Sequence, residues 1–288
     1  MKKIFSLLLA ASVAVLSLSA QETEKKQYLP EEGDWSIGFD AKPILNFVGN
    51  ALNGSTDNSL DAFGGEPTLT DNGPTVSIMG KYMLTDNFAV KANLGLLFDN
   101  DKEAYYIQDD AATILDPLSN SKVADYKSTK KSGVSLMAGV EYRVGKKRIQ
   151  GVFGGGVLVG VKSNVVKYSY GNKMTAINQH PTTAGNFSDV WAGDYRTLKQ
   201  FSQTPNFYAG LVGTAGVEFF VAPKVALGAE VSVVAAYDVN KQTYTYSEGY
   251  NPSTEIIERK TDLVSPRTGS FNLETKNFGG SLYLAFYF

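Results

Sequence analysis

The last twelve residues, Asn277-Phe-Gly-Gly-Ser-Leu-Tyr-Leu-Ala-Phe-Tyr-Phe288, constrain the fold more than any other stretch. Side chains of a strand alternate between faces, so Phe278, Gly280, Leu282, Leu284, Phe286 and Phe288 share one side. Asn277, Gly279, Ser281, Tyr283, Ala285 and Tyr287 share the other. The first face is apolar and aromatic; the second is small, with polar handles. A strand this apolar on one face is an aggregation hazard in water. The hazard disappears if lipid covers that face and a neighbouring strand completes the ladder.

Seven earlier stretches carry the same period: Trp35–Lys42, Val76–Met83, Phe88–Phe98, Gly133–Arg143, Val152–Val161, Phe207–Phe219 and Val225–Asp238. Their connections alternate in length. Leu84–Asn87, Gly145–Arg148 and Ala222–Lys224 are tight turns. The other connections are polar and long: about 25 residues after Phe47, about 30 after Asp99, and about 40 each after Lys162 and Asn240. Long and short in strict succession is the pattern of an outer-membrane barrel. The expected fold is therefore all-β: an eight-stranded antiparallel up-and-down transmembrane barrel over residues 34–288. It should have four long external loops, three short periplasmic turns and both termini on the periplasmic side.

The amino terminus fits that compartment. Lys2 and Lys3 precede an apolar run from Ile4 to Leu18, then Ser19-Ala20. A basic start, a short apolar run and a small residue at the break describe a secretory signal peptide over residues 1–20. About 15 apolar residues fall short of the roughly 20 that a spanning helix needs. Residues 21–33 are polar and read as a periplasmic leader with no core of their own. The absence of cysteine excludes thiolate chemistry and disulfides, and a single histidine, His180, all but excludes a histidine-based zinc site. With 27 basic and 29 acidic residues the chain lacks the concentrated positive charge that a nucleic-acid partner requires. No cofactor or metal is expected. Asp57, Asp61, Asp71, Asp99, Asp101, Asp109 and Asp110 follow no calcium-loop spacing.

Volume decides which face points outward. An eight-stranded barrel is just wide enough inside for side chains to fill. The face rich in Gly, Ser, Ala and Thr fits that lumen, whereas the Phe, Leu, Val and Ile face is too bulky and belongs in lipid. Trp35, Phe88, Tyr142 and Phe219 near the turn-side ends, and Phe98, Phe207 and Tyr237 near the loop-side ends, form two aromatic girdles. Tyr168, Tyr170, Tyr244 and Tyr246 suggest strands that rise past the outer leaflet as a collar. On the inner face, Asp40, Glu141, Glu218 and Glu230 oppose Lys42, Lys81, Lys91 and Arg143. An isolated charge there would be too costly, so these eight should pair into a plug in the periplasmic half. Pro43 cannot donate to a ladder and marks a bulge or the end of the first strand. His180, with Ser188, Asp189 and Asp194 downstream, is the kind of set that activates a hydroxyl. One histidine beside common loop residues is weak ground for catalysis, and the chain reads as a non-enzyme.

Assembled, these features resemble the outer-membrane β-barrel superfamily of Gram-negative bacteria, with its OmpA-, OmpX- and OmpW-type barrels. The hairpin Gly216-Val-Glu-Phe-Phe-Val-Ala-Pro-Lys-Val-Ala-Leu-Gly-Ala-Glu230 and the terminal strand carry the likeness. The resemblance implies that Gly280, Leu282, Leu284, Phe286 and Phe288 are the signal read by the barrel-assembly machinery. It also implies outer-membrane lipid and lipopolysaccharide as surroundings. The expected role is envelope structure, or adhesion to an extracellular protein or glycan, through long loops above a plugged lumen. A narrow transporter for small or hydrophobic solutes is the alternative, and a lipid-modifying enzyme using His180 a minor one. The facing assignment has a direct check. Leu284→Arg should cost about 2–4 kcal/mol in unfolding from lipid vesicles, whereas Ser281→Arg should be limited by lumen crowding; equal assembly of both would reverse the faces.

Overall fold

The computed structural model describes residues 27–40, 76–187 and 190–288. Its strands are β1 (Trp35–Asp40), β2 (Val76–Thr85), β3 (Phe88–Gln108), β4 (Lys122–Lys146), β5 (Ile149–Ser169), β6 (Trp191–Ala192) and β7 (Tyr195–Ser202). They continue with β8 (Asn206–Ala222), β9 (Val225–Asn240), β10 (Thr243–Asn251), β11 (Ile256–Ser265) and β12 (Thr268–Tyr287). One short helix, α1 (Asp110–Leu115), sits between β3 and β4. Antiparallel ladders join β1–β2, β2–β3, β3–β4, β4–β5, β5–β8, β8–β9, β9–β12 and β12–β1. That sequence of pairings returns to its start, so eight strands close into a ring. Neighbours in the ring follow chain order, which makes it an up-and-down barrel.

Alternation sets the two surfaces. Trp35, Leu94, Leu136, Val157, Leu211, Val231 and Leu282 all stand exposed on the outside. Inside, Met83, Ala89, Phe220, Ala226, Val234 and Ala285 are fully buried. The lumen is more crowded than the small-residue reading anticipates, because glycines on its face make room for large neighbours. Gly228 lies opposite Tyr283 and Gly160 opposite Tyr208 in the ladders. A Cβ on either glycine would overlap the tyrosine ring. Each ring therefore lies flat across an inward glycine of the next strand, an arrangement that covers exposed backbone with aromatic surface.

Three expectations change at the rims. The connection after Asp99 is not a 30-residue loop: β3 and β4 stay paired from Phe88↔Tyr142 up to Gln108↔Lys122, leaving a short helical cap. β12 begins at Thr268, nine residues before the apolar run that revealed it. Above the membrane both faces meet water, so the hydropathy contrast vanishes while backbone pairing continues. The loop between β5 and β8 folds β7 onto β5 at Val166↔Gln200 and Lys167↔Lys199. β10 and β11 extend that sheet outward. Tyr244 and Tyr246 accordingly stand on β10, a separate strand that follows β9.

The leader also packs. Tyr28 and Leu29 lie against the buried cluster at the turn-side mouth, which includes Met83, Phe220 and Tyr287. Lys224 N–H donates to the Tyr28 carbonyl (3.1 Å), and Glu32 N–H to Asp86 (3.0 Å). β1 and β12 meet at the same rim, through Trp35 N–H to Phe288 O (2.9 Å) and the reverse bond (2.8 Å). The glycine–tyrosine fit is testable. Gly228→Val should displace Tyr283 and cost about 1–3 kcal/mol in denaturant unfolding of the folded barrel. Combining it with Tyr283→Ser should recover part of that loss.

Candidate functional site

The lumen is stacked in layers. At the turn-side mouth Met83, Ala89, Phe220, Ala226, Ala285 and Tyr287 close an apolar floor. Farther along, Met137, Leu158, Tyr208, Val212, Val234 and Ala236 form a second apolar layer. Between them lie Lys81, Lys91, Glu141, Arg143, Glu218 and Glu230, each at most 7% exposed. Three cations and three carboxylates sum to zero.

The contacts are close. Lys81 Nζ is 2.7 Å from the Glu141 carboxylate and 2.7 Å from Glu218. Lys91 Nζ donates to both Glu230 oxygens, at 2.6 and 2.5 Å. Arg143 Nη2 lies 2.5 Å from Glu218, and its Nε 3.4 Å from Glu141. The Arg143 guanidinium also contacts the Tyr287 hydroxyl, and Tyr283 OH donates to Glu218 at 2.8 Å. Around the ring, β2 and β8 stand four places apart, as do β3 and β9, and β4 and β12. Lys81–Glu218, Lys91–Glu230 and Arg143–Tyr287 are therefore three struts, each spanning a different diameter. The fourth diameter, β1 to β5, is lined by Ser36 and Gly38 facing Val152 and Gly154. Ladder hydrogen bonds hold only neighbouring strands together; these side chains hold opposite walls at a fixed distance.

Six of the eight charges expected at the plug are thus brought together. Asp40 lies on β1 opposite Tyr283 in the ladder, at the level of the network. Lys42 and Pro43 lie outside the described residues. Two participants were not singled out from the sequence, Tyr283 and Tyr287, although they have the inward parity of Ser281 and Ala285. A further ion pair, Lys162 with Asp238 at 3.1 Å, lies beyond the upper apolar layer. In the girdles, Trp35, Tyr142, Phe219, Phe98, Phe207 and Tyr237 are exposed and Phe88 is half-buried. Leu282 and Phe288 face outward, with Leu284 and Phe286 half-buried beside them.

Asp109 and Asp110 have structural partners. Asp109 caps α1, accepting from Ala112 N–H at 3.2 Å, and Asp110 accepts from Asn178 and Thr182 N–H at 2.7 Å each. Asp57, Asp61 and Asp71 fall outside the described residues, as do Ser188 and Asp189. Among the described residues no group of acids, histidine or cysteine has metal-binding geometry. His180 is solvent-exposed, 3.4 Å from Asp194, with its ring tilted at 40° to that of Trp191 (centroids 5.2 Å apart).

A closed antiparallel ring with an apolar outside and, among the described residues, a charge-paired and packed inside defines the class, a barrel of the outer-membrane type. Protein-family models and curated proteins contain no match to the chain. Among solved structures it is similar to the outer membrane protein OprG from Pseudomonas aeruginosa, with 12% identity and a TM-score of 0.35 over 91% of this chain and 99% of that one. It is also similar to Ail, the attachment invasion locus protein of Yersinia pestis, with 11% identity and a TM-score of 0.31 over 89% and 98% of the two chains.

The struts predict a non-additive pair. Glu230→Met should destabilise the barrel by about 3–5 kcal/mol, because it leaves Lys91 buried without its close partner, with only the Glu141 carboxylate at 3.9 Å. Lys91→Met with Glu230→Met should be near neutral, since an apolar pair avoids the desolvation of both ions. Denaturant unfolding in vesicles would report both values.

Proposed function

We propose that the chain is an integral outer-membrane protein that conducts nothing through its barrel and works through its extracellular superstructure, in adhesion or another surface interaction. The single observation that carries this is the contrast between the two ends of the molecule. The barrel interior is filled by paired charges and two apolar layers. The outer end holds an ordered platform.

That platform is cross-tied. Asp125, fully buried, accepts from Gly171 N–H (2.8 Å) and Ala184 N–H (2.9 Å). Arg196 reaches Glu248 (2.7 Å) and the Asn172 carbonyl (3.1 Å), with its guanidinium 4.1 Å from the Tyr170 ring. Burial holds the Tyr170 phenol well above its ordinary value, against the nearby Arg196, so it stays a donor to Thr197 O. The sheet ends at β11, whose outer edge has no partner strand among the described residues. Ile256, Ile257, Leu263 and Val264 are exposed there. A strand edge with apolar side chains is a template on which an extended segment of another protein can add. The outer-membrane setting is supported by the apolar outer wall and the closed ladder, since only a closed sheet crosses lipid with its backbone satisfied.

Two measurements test the reading. The refolded full-length protein in a planar bilayer should show no stable unit conductance; a reproducible conductance step would instead favour the narrow transporter. Replacing residues 243–265 by a short Gly-Ser linker should leave barrel assembly intact and abolish binding of expressing cells to host-cell or matrix surfaces. Unchanged binding would remove the platform from the function.

A further inference from the structure

A cavity of about 710 Å³ opens at the turn-side rim, on the outside of the barrel. Its walls are leader residues 27–29, Lys147, Arg148 and Ile149 of the β4–β5 turn, and Phe219 of β8. Ile149 and Phe219 lie directly opposite each other in the β5–β8 ladder and are both exposed, so the floor is the lipid-facing wall at girdle level. The leader forms the side. Tyr28 is held by Lys224 N–H at its carbonyl, and the Arg148 guanidinium stacks 3.8 Å from its ring.

The upper edge is basic. Lys147 is exposed, and neither it nor Arg148 has an ion pair among the described residues. The other two turns differ: Asp86 brings a carboxylate to the β2–β3 turn, and Lys224 is paired with Asp34 at 2.8 Å. Among the described residues, positive charge without an ion-pair partner therefore collects at this seam. An occupant must be apolar where it meets Ile149 and Phe219 and anionic where it meets Lys147 and Arg148. A soluble anion would leave the apolar floor bare, and a zwitterionic lipid would leave the cations uncompensated. We infer that this groove seats one anionic phospholipid of the periplasmic leaflet, acyl chain along Ile149 and Phe219 and phosphate at Lys147 and Arg148. The inference rests on the outer-membrane reading above.

The test uses the full-length protein in phosphatidylcholine vesicles, with Phe219→Trp as the reporter in a background carrying both Trp35→Phe and Trp191→Phe. Brominated phosphatidylglycerol should quench the reporter at a lower mole fraction than brominated phosphatidylcholine. Lys147→Asn, which tolerates the left-handed φ of 63° at that turn, and Arg148→Gln should each weaken the preference about fivefold. Tyr28→Ala, which changes no charge, should weaken it as well by opening the side wall. Lys224→Gln should leave it unchanged. Equal quenching by both lipids, an equal effect of Lys224→Gln, indifference to Tyr28→Ala, or release by inorganic phosphate would each overturn the site. Failure of the protein to insert into vesicles at all would instead overturn the outer-membrane reading.

Discussion

The constraint on which everything else depends is that no backbone N–H or C=O can be left unpaired in hydrocarbon. Eight strands meet it only by closing, and closure here passes over inserted strands twice, at β5–β8 and at β9–β12. β5 pairs with β8 from Ile149 to Lys162 and with β7 at Val166 and Lys167. The change of partner falls between Lys162 and Val166, just past the exposed aromatic Phe207 that marks the outer girdle. Below that level the ladder must be a ring. Above it, water can satisfy an edge, and the same strand is free to seed an open sheet. One strand thus serves as barrel wall and as foundation for the platform.

Closure alone does not fix the barrel's cross-section, because ladder bonds tolerate flattening of a ring. The three lumen struts address that mode directly: a lysine or arginine side chain is long enough to cross a small lumen, and each crosses a different diameter. Burying six ions carries a desolvation cost of several kcal/mol per ion, offset only because every carboxylate has a cation within contact distance. Apolar fillers could occupy the same volume, as they do in the layers on either side. Only directional contacts, however, specify which wall faces which. Glu218 illustrates this: it takes contacts from Lys81 on β2, Arg143 on β4 and Tyr283 on β12, so its position registers three walls at once.

Much of this was legible in the amino-acid sequence, for a reason of medium. Within the membrane one face meets lipid and the other a narrow interior, so period-two contrast is strong and parity alone placed Lys81, Lys91, Glu141, Arg143, Glu218 and Glu230 on one side. Tyr283 and Tyr287 shared that parity, but tyrosine is equally at home in a girdle; the place of Tyr283 depends on Gly228 opposite and that of Tyr287 on Arg143 across the lumen, both cross-strand facts. Outside the membrane the contrast is lost. Asp99–Gln108 alternates between two wetted faces and read as loop, although it continues the ladder of β3. The leader, read as having no core of its own, leans two apolar residues of its polar run, Tyr28 and Leu29, half-buried against a core supplied by other strands.

The sealed interior and the built exterior are linked by stiffness. A binding surface on a mobile loop must give up conformational freedom when it captures a partner, at about 1–2 kcal/mol per residue fixed. Here the segments above the girdle are already tied: Asp125 on β4 holds the chain at Gly171 and Ala184, and Arg196 on β7 joins Glu248 on β10 to the Asn172 carbonyl. Those ties would transmit little if the strands beneath could shear. They stand on strands whose lower halves are braced across the lumen, β4 through Glu141 and Arg143 and β8 through Glu218. Filling the lumen and presenting a preorganised edge are in this fold two consequences of the same bracing.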